Sequence, residues 1–333
     1  MQNLLTDIAG VRVGHAEDQK VATGVTAIVF DEPAVASVDV RGGGPGTRDE
    51  VMLDPVNTVE RIDAIALSGG SALGLDAGGG VQAWLAEQGR GLRIREALVP
   101  IVPGAICFDL LNGGDKNWGR FPPYRDLGYA AAASAAPGPF ALGTAGAGYG
   151  ATTSILKGGL GSASAKTRDG VSVAALAVVN PVGSTNVGDG PWFWAAPFEQ
   201  NGEFGGRGLP PSFTPQMLSM RLKGAAAMTA TENTTLAVVV TDAILTKAQA
   251  RRLAIIANTG FARAIYPVHA PSDGDIVFAA ATCRQPVDPL LGLTELGALA
   301  ANTLSRAIAR GVFEARALPF PGALPDWTSK FDR

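Results

Sequence analysis

Thr231-Glu232-Asn233-Thr234-Thr235-Leu236-Ala237-Val238-Val239-Val240-Thr241-Asp242 sets a polar Asn-Thr-Thr step directly before an unbroken apolar run. Consecutive β-branched valines favour a strand. With no polar alternation, that strand must be covered on both faces, which places it in the middle of a layered fold rather than on a wetted edge. Read alone, the Asn233-Thr234 step is a turn leading into that strand. Asn233-Thr234-Thr235 is also a glycosylation sequon, which acts only in a secreted chain.

Outward from this stretch, β-rich runs mix with small-residue helices. Strands are expected over 25–30, 36–40, 62–67, 98–102, 161–166, 171–179 and 276–281. Helices are expected over 74–88, 126–135, 214–228, 246–264 and 294–315. Strict strand–helix alternation is missing, which favours a layered α/β sandwich over a barrel. Gly78, Gly79 and Gly80 each weaken the first helix by up to about 1 kcal/mol relative to alanine, so another backbone must pack closely there. Residues 180–210, rich in Gly, Pro, Asn and Trp, predict a long surface excursion. Its Trp192 and Trp194 are candidate substrate-binding aromatics, or pins that hold the loop to the body.

Composition excludes several classes. Of 333 residues, 47% are hydrophobic and 17% charged, enough apolar chain for a large core, and no disordered linker divides it. The net charge of −3 offers no phosphate-binding surface, so neither nucleic acid nor an anionic membrane is an expected partner. Two cysteines and two histidines give no disulfide framework and no metal-ligand spacing. Structural roles are expected for both His15 and His269. The N-terminus lacks a basic n-region followed by an apolar h-region. No apolar run approaches the ~20 residues of a membrane span. The expectation is a soluble, cytoplasmic protein. Gly69-Gly70-Ser71-Ala72-Leu73 lacks the last glycine of a nucleophile elbow.

A series of ordered motifs adds to this reading. They are Leu5-Thr6-Asp7-Ile8-Ala9-Gly10-Val11-Arg12-Val13-Gly14-His15, Val38-Asp39-Val40-Arg41-Gly42-Gly43, Leu67-Ser68-Gly69-Gly70-Ser71-Ala72-Leu73-Gly74-Leu75 and Gly158-Gly159-Leu160-Gly161-Ser162-Ala163-Ser164. Nearly end to end, the chain resembles the L-aminopeptidase/D-esterase family, which includes the β-peptidyl aminopeptidases and the 6-aminohexanoate-oligomer (nylon-oligomer) hydrolases. The resemblance implies a four-layer αββα sandwich of the N-terminal-nucleophile kind, related to the ornithine acetyltransferases. It implies one domain cut by itself into residues 1–233 and 234–333, assembled with other copies, typically as a tetramer. No cofactor and no metal are implied.

The family's cleavage position matches Asn233-Thr234, making Thr234 the nucleophile, in the Asn-Thr-Thr form of the nylon-oligomer branch. Its paired acidic positions match Asp273 and Asp275, and its oxyanion-stabilising Asn matches Asn180. The family Lys matches Lys157 in the aminopeptidase-type pattern and Ile155 in the nylon-type pattern. Where the nylon-type branch has a substrate-binding Tyr, this chain has Phe108. These types suit the chemistry. A neutral Thr hydroxyl needs a base, and an α-amino group freed by cleavage, of pKa about 7.7–8.0, is better matched to neutral pH than an ordinary Lys. The implied activity is hydrolysis of small amides or oligomers of ω- or β-amino acids. The alternatives are an aminopeptidase on short peptides, an acyltransferase, and an uncleaved scaffold without activity.

Overall fold

Along Leu236–Ala243 alternate side chains enter different cores. Leu236, Val238 and Val240 belong to the same core as Val13, Phe30 and Phe278, whereas Ala237 and Val239 belong to that of Leu253, Leu304 and Val277. That alternation, demanded by the period of a strand, sets the architecture. The structure, a computed structural model, describes residues 1–224 and 233–332. Its elements are β1 (Val11–Asp18), β2 (Thr23–Val40), β3 (Thr47–Arg48), β4 (Arg61–Ser68), α1 (Ala77–Glu87), β5 (Leu92–Ile94), β6 (Ala97–Val99), β7 (Gly104–Ile106), α2 (Tyr124–Ala133), β8 (Gly159–Lys166), β9 (Ser172–Val179), β10 (Leu236–Ala243), α3 (Lys247–Ala262), β11 (Ile276–Gln285), α4 (Leu291–Phe313) and α5 (Trp327–Phe331).

Strand order is β3-β7-β4-β2-β11-β10-β9-β8, with β1 on β2. The first half of β2 pairs with β1 and β4, and its second half pairs with β11. The two expected strands over 25–30 and 36–40 are therefore one strand. Its exposed Asp31-Glu32-Pro33 step, where the register with β4 shifts, carries it from one layer to the other. One core lies between the layers, α1 and α2 cover the outer face of the first, and α3 and α4 cover the outer face of the second. The result is the expected αββα sandwich.

The glycines of α1 have the close contact their sequence required. A Cβ on Gly80 would lie 1.9 Å from the Arg125 carbonyl of α2, and one on Gly128 would lie 2.1 Å from the Ala77 carbonyl. The expected strand over 98–102 breaks up, because Pro100 and Pro103 cannot donate to a ladder. Only Ala97–Val99 pairs, with β5. Residues 181–188 are buried rather than a surface excursion, and Ser184 and Tyr266 exchange backbone hydrogen bonds of 2.9 Å. The helix expected over 214–228 is absent as far as Gly224, where the chain makes turns, and 225–228 lie outside the described residues. Among the described residues no helix is long and apolar enough to cross a membrane.

Candidate active site

Topology brings the sequence-predicted residues to one end of the second layer. β10 runs parallel to β11 and antiparallel to β9, with Leu236 opposite both Ile276 and Val178. The start of β10, the start of β11 and the end of β9 therefore coincide. Thr234, the Asp273–Asp275 turn and Asn180 occupy those three places. The Thr234 N–H donates to the Asn180 carbonyl at 3.0 Å, and Asn233 bridges to Asp273. The glycine loop after β2 closes the turn from outside, with Gly44 N–H on the Asp273 carbonyl at 2.7 Å. Backbone approaches this closely only because side chains are missing: a Cβ on Gly42 would meet the Asp273 carbonyl oxygen at 2.3 Å.

Thr234 is buried, and its hydroxyl donates to the carbonyl oxygen of Asn233 at 2.5 Å. The same oxygen accepts the Gly274 N–H at 2.9 Å. Two donors thus polarise the peptide bond that precedes Thr234, and one of them belongs to the neighbouring hydroxyl.

The two carboxylates flank this bond and hold different partners. Asp273 accepts the N–H groups of Val182 at 3.1 Å and Ala270 at 3.4 Å. Asp275 accepts the Thr235 N–H at 2.9 Å on one oxygen, and the His269 N–H and ring Nδ1, at 3.1 and 2.9 Å, on the other. Neither is bonded to the Thr234 hydroxyl; they hold the backbone around it. Both are fully buried, and burial, then the adjacent Asp275, pushes the Asp273 carboxyl well above the ordinary range.

Asn180 and Lys157 have structural partners. The Asn180 side chain accepts the Thr152 N–H at 2.9 Å and donates to the Phe108 carbonyl at 3.1 Å. Lys157 is buried with its ammonium on the carbonyls of Gly148, Ala151 and Gly158 at 2.8–3.0 Å, and burial pulls its pKa down to about 7. Lys223, which sequence reasoning did not single out, donates to Asn180 Oδ1 at 3.0 Å. Removal from water brings it down to about 7 as well.

A cavity of about 670 Å³ opens beside Asn233. Phe108, Leu111, Leu318 and Leu324 give it apolar walls, and Asp109, Lys157 and Lys223 supply its charges. The buried Asp109 carboxylate, which the sequence reading also passed over, holds Thr23 Oγ1 at 2.6 Å and Gly70 N–H at 2.8 Å. Trp192 and Trp194 do not line this cavity. Trp194 stacks on Phe213 at 6.4 Å and packs on Tyr266 at 5.7 Å, pinning its loop to the body. Among the described residues no group of three or more His, Cys, Asp and Glu could hold a metal ion.

Comparison with known proteins bears on the family and the fold. Residues 3–322 match peptidase family S58. An uncharacterized aminopeptidase of Mycobacterium tuberculosis is 42% identical over 352 residues, spanning 96% of this chain and 99% of the relative. The 6-aminohexanoate-oligomer endohydrolase of a Kocuria species is 29% identical over 322 residues, spanning 92% of this chain and 85% of the relative. The L-aminopeptidase D-Ala-esterase/amidase of Ochrobactrum anthropi, a variant of the Ntn hydrolase fold, superposes with a TM-score of 0.73 at 20% identity, covering 98% of this chain and 90% of that one.

Proposed function

The chain belongs to peptidase family S58, and from that membership and the geometry around Thr234 we propose a self-processing N-terminal-nucleophile amide hydrolase that cuts between Asn233 and Thr234. The observation that carries the reading is the Thr234 hydroxyl at 2.5 Å from a carbonyl oxygen that Gly274 N–H also holds. Attack of Oγ1 on the Asn233 carbonyl carbon puts negative charge on that oxygen, where the Gly274 N–H is already in place. Collapse moves the acyl group from nitrogen to Oγ1, and the hydroxyl proton ends on the released amine. Water then hydrolyses the ester, leaving a carboxylate on Asn233 and a free α-amino group on Thr234.

That amino group, held at the Asn180 carbonyl, becomes the base for turnover. Oγ1 attacks a substrate amide, the amine leaves with a proton, and water releases the acyl group. An amide NH2 carries two donors, so Asn180 can hold the Phe108 carbonyl with one and steady the oxyanion with the other. The same hydroxyl serves both reactions, so the substrate acyl group takes the place of Asn233 and extends into the adjoining cavity. Because β10 and β11 lie between β2 and β9 in the hydrogen-bonded order, residues 1–233 and 234–333 stay interlocked after cleavage.

The substrates are small amides of amino acids, including ω- and β-amino acids, and the processed chain works as a cofactor-free homo-oligomer in the cytoplasm. Two pairs of observations divide the finer choice. The Asn-Thr-Thr junction and the endohydrolase relative favour oligomer cleavage. Removal of single N-terminal residues is favoured by the 42% identity to an aminopeptidase, and by Asp109, a carboxylate in the cavity wall suited to an ammonium group. Thr234→Ala and Thr234→Ser test the reading. The Ala variant should neither mature nor hydrolyse aminoacyl p-nitroanilides, and the Ser variant should retain part of both. Normal turnover by Thr234→Ala would remove this residue from the mechanism.

A further inference from the structure

His269 stands outside the residues that the proposed chemistry uses, yet its placement is costly. It adopts a left-handed backbone with φ 54°, a conformation uncommon for a residue with a side chain. That backbone aims two donors, the main-chain N–H at 3.1 Å and ring Nδ1 at 2.9 Å, at the same oxygen of Asp275. The other Asp275 oxygen accepts the N–H of Thr235, next to Thr234, at 2.9 Å. The Asp275 side chain is wholly buried while the His269 side chain is 24% exposed. A chain of contacts thus runs from the surface to the peptide that carries the nucleophile.

We propose that His269 is a positioning residue: its ring holds the Asp275 carboxylate aimed at the Thr235 N–H, and so fixes the backbone on which Thr234 reacts. The proposal rests on Thr234 being the nucleophile. The physical need is plain. Asp273 and Asp275 are two buried carboxylates separated by one glycine, and burial, then the Asp275 charge, pushes the Asp273 carboxyl up, so the direction in which Asp275 is held matters. Among the described residues, these groups face the pair. Lys223 acts on Asp273 from the cavity side. Arg41, whose backbone N–H holds the Asp275 carbonyl, turns its guanidinium to Asp39 at 2.7 Å. From α3 the ring of Phe261 packs on His269, at 5.5 Å. The imidazole is the side-chain donor on Asp275.

The test compares full-length wild type, His269→Gly and His269→Asn. Both substitutions suit a left-handed backbone, so folding is preserved, and only Asn restores a donor near the Nδ1 position. Chains made by cell-free synthesis are followed by intact mass for the rate of cleavage at Asn233–Thr234, with kcat and KM for β-alanyl-p-nitroanilide alongside. His269→Gly should slow cleavage and lower kcat about tenfold while KM stays within about twofold. His269→Asn, and added imidazole with His269→Gly, should restore most of the rate. Wild-type rates in His269→Gly overturn the proposal, as does a loss that neither Asn nor imidazole reverses, since that would be a backbone effect. Failure of the underlying reading looks different: wild type then never cleaves, and Thr234→Ala is as active as wild type.

Discussion

A Cβ at position 274 would lie 2.6 Å from Oγ1 of Thr234 and 2.8 Å from the Gly44 carbonyl oxygen. Glycine at 274 therefore does two things at once: it lends its N–H to the Asn233 carbonyl and leaves room for the hydroxyl proposed to attack it. Gly274→Ala should slow self-cleavage by at least about a hundredfold, through loss of the aligned donor. The crowding should cost about 1–3 kcal/mol of stability. Intact mass over time and a thermal melt measure the two effects. Cleavage at the wild-type rate would show that the hydroxyl does not react from this position.

Asp273 should leave a mark on stability as well as on rate. Its folded pKa is raised above the ordinary 3.8, by burial first and Asp275 second. A raised carboxyl binds its proton more tightly in the folded state, so its contribution is fully present below the ordinary value and fades as pH rises through the folded one. Asp273→Asn removes that contribution. The fall in melting temperature between about pH 5 and about pH 8 should be smaller in the variant than in wild type. Equal slopes would mean that Asp273 ionises in the folded chain as it does in the unfolded one.

Lys223 should act through Asn180. Its ammonium sits 3.0 Å from Asn180 Oδ1, and the Asn180 carbonyl holds the Thr234 N–H. Lys223→Met removes one of the hydrogen bonds that hold that side chain beside those to Thr152 and Phe108, and the loosened placement should lower kcat/KM about tenfold to a hundredfold. The melting temperature should move little. A variant with normal kinetics would make Lys223 only a wall of the cavity.

Phe108 lines the cavity without a hydroxyl. A neutral hydrogen bond contributes about 0.5–1.5 kcal/mol. Phe108→Tyr should therefore raise hydrolysis of an aminohexanoate oligomer severalfold, starting from a wild type that favours short amides. Good wild-type activity on long oligomers, unchanged by the substitution, would show that this position does not govern chain length.

Much of this was legible in the sequence for a physical reason. The valine run at 238–240 permits only a strand covered on both faces, and it is one. The glycines at 78–80 demanded a close backbone, and α2 supplies it. Thr234, Asp273, Asp275 and Asn180 were marked out by the family resemblance rather than by pattern; they sit at strand ends, and a parallel β10–β11 pair flanked by β9 brings them together. Lys223, Asp109 and His269 were not legible in the same way. Lys223 follows turns that read as a helix, and Asp109 meets Thr23 and Gly70 only through tertiary folding. His269 lies four residues before Asp273, but its importance depends on a left-handed backbone that no spacing reveals.

The central claim is that the bond between Asn233 and Thr234 is cut by the chain itself. Intact mass spectrometry of freshly purified active protein, with N-terminal sequencing of the smaller product, addresses it directly. The account predicts two tightly associated fragments, residues 1–233 and 234–333, the second beginning at Thr234 and holding 333 − 233 = 100 residues. A fully active preparation made only of uncut chain would contradict it, and so would a small fragment beginning at Thr235.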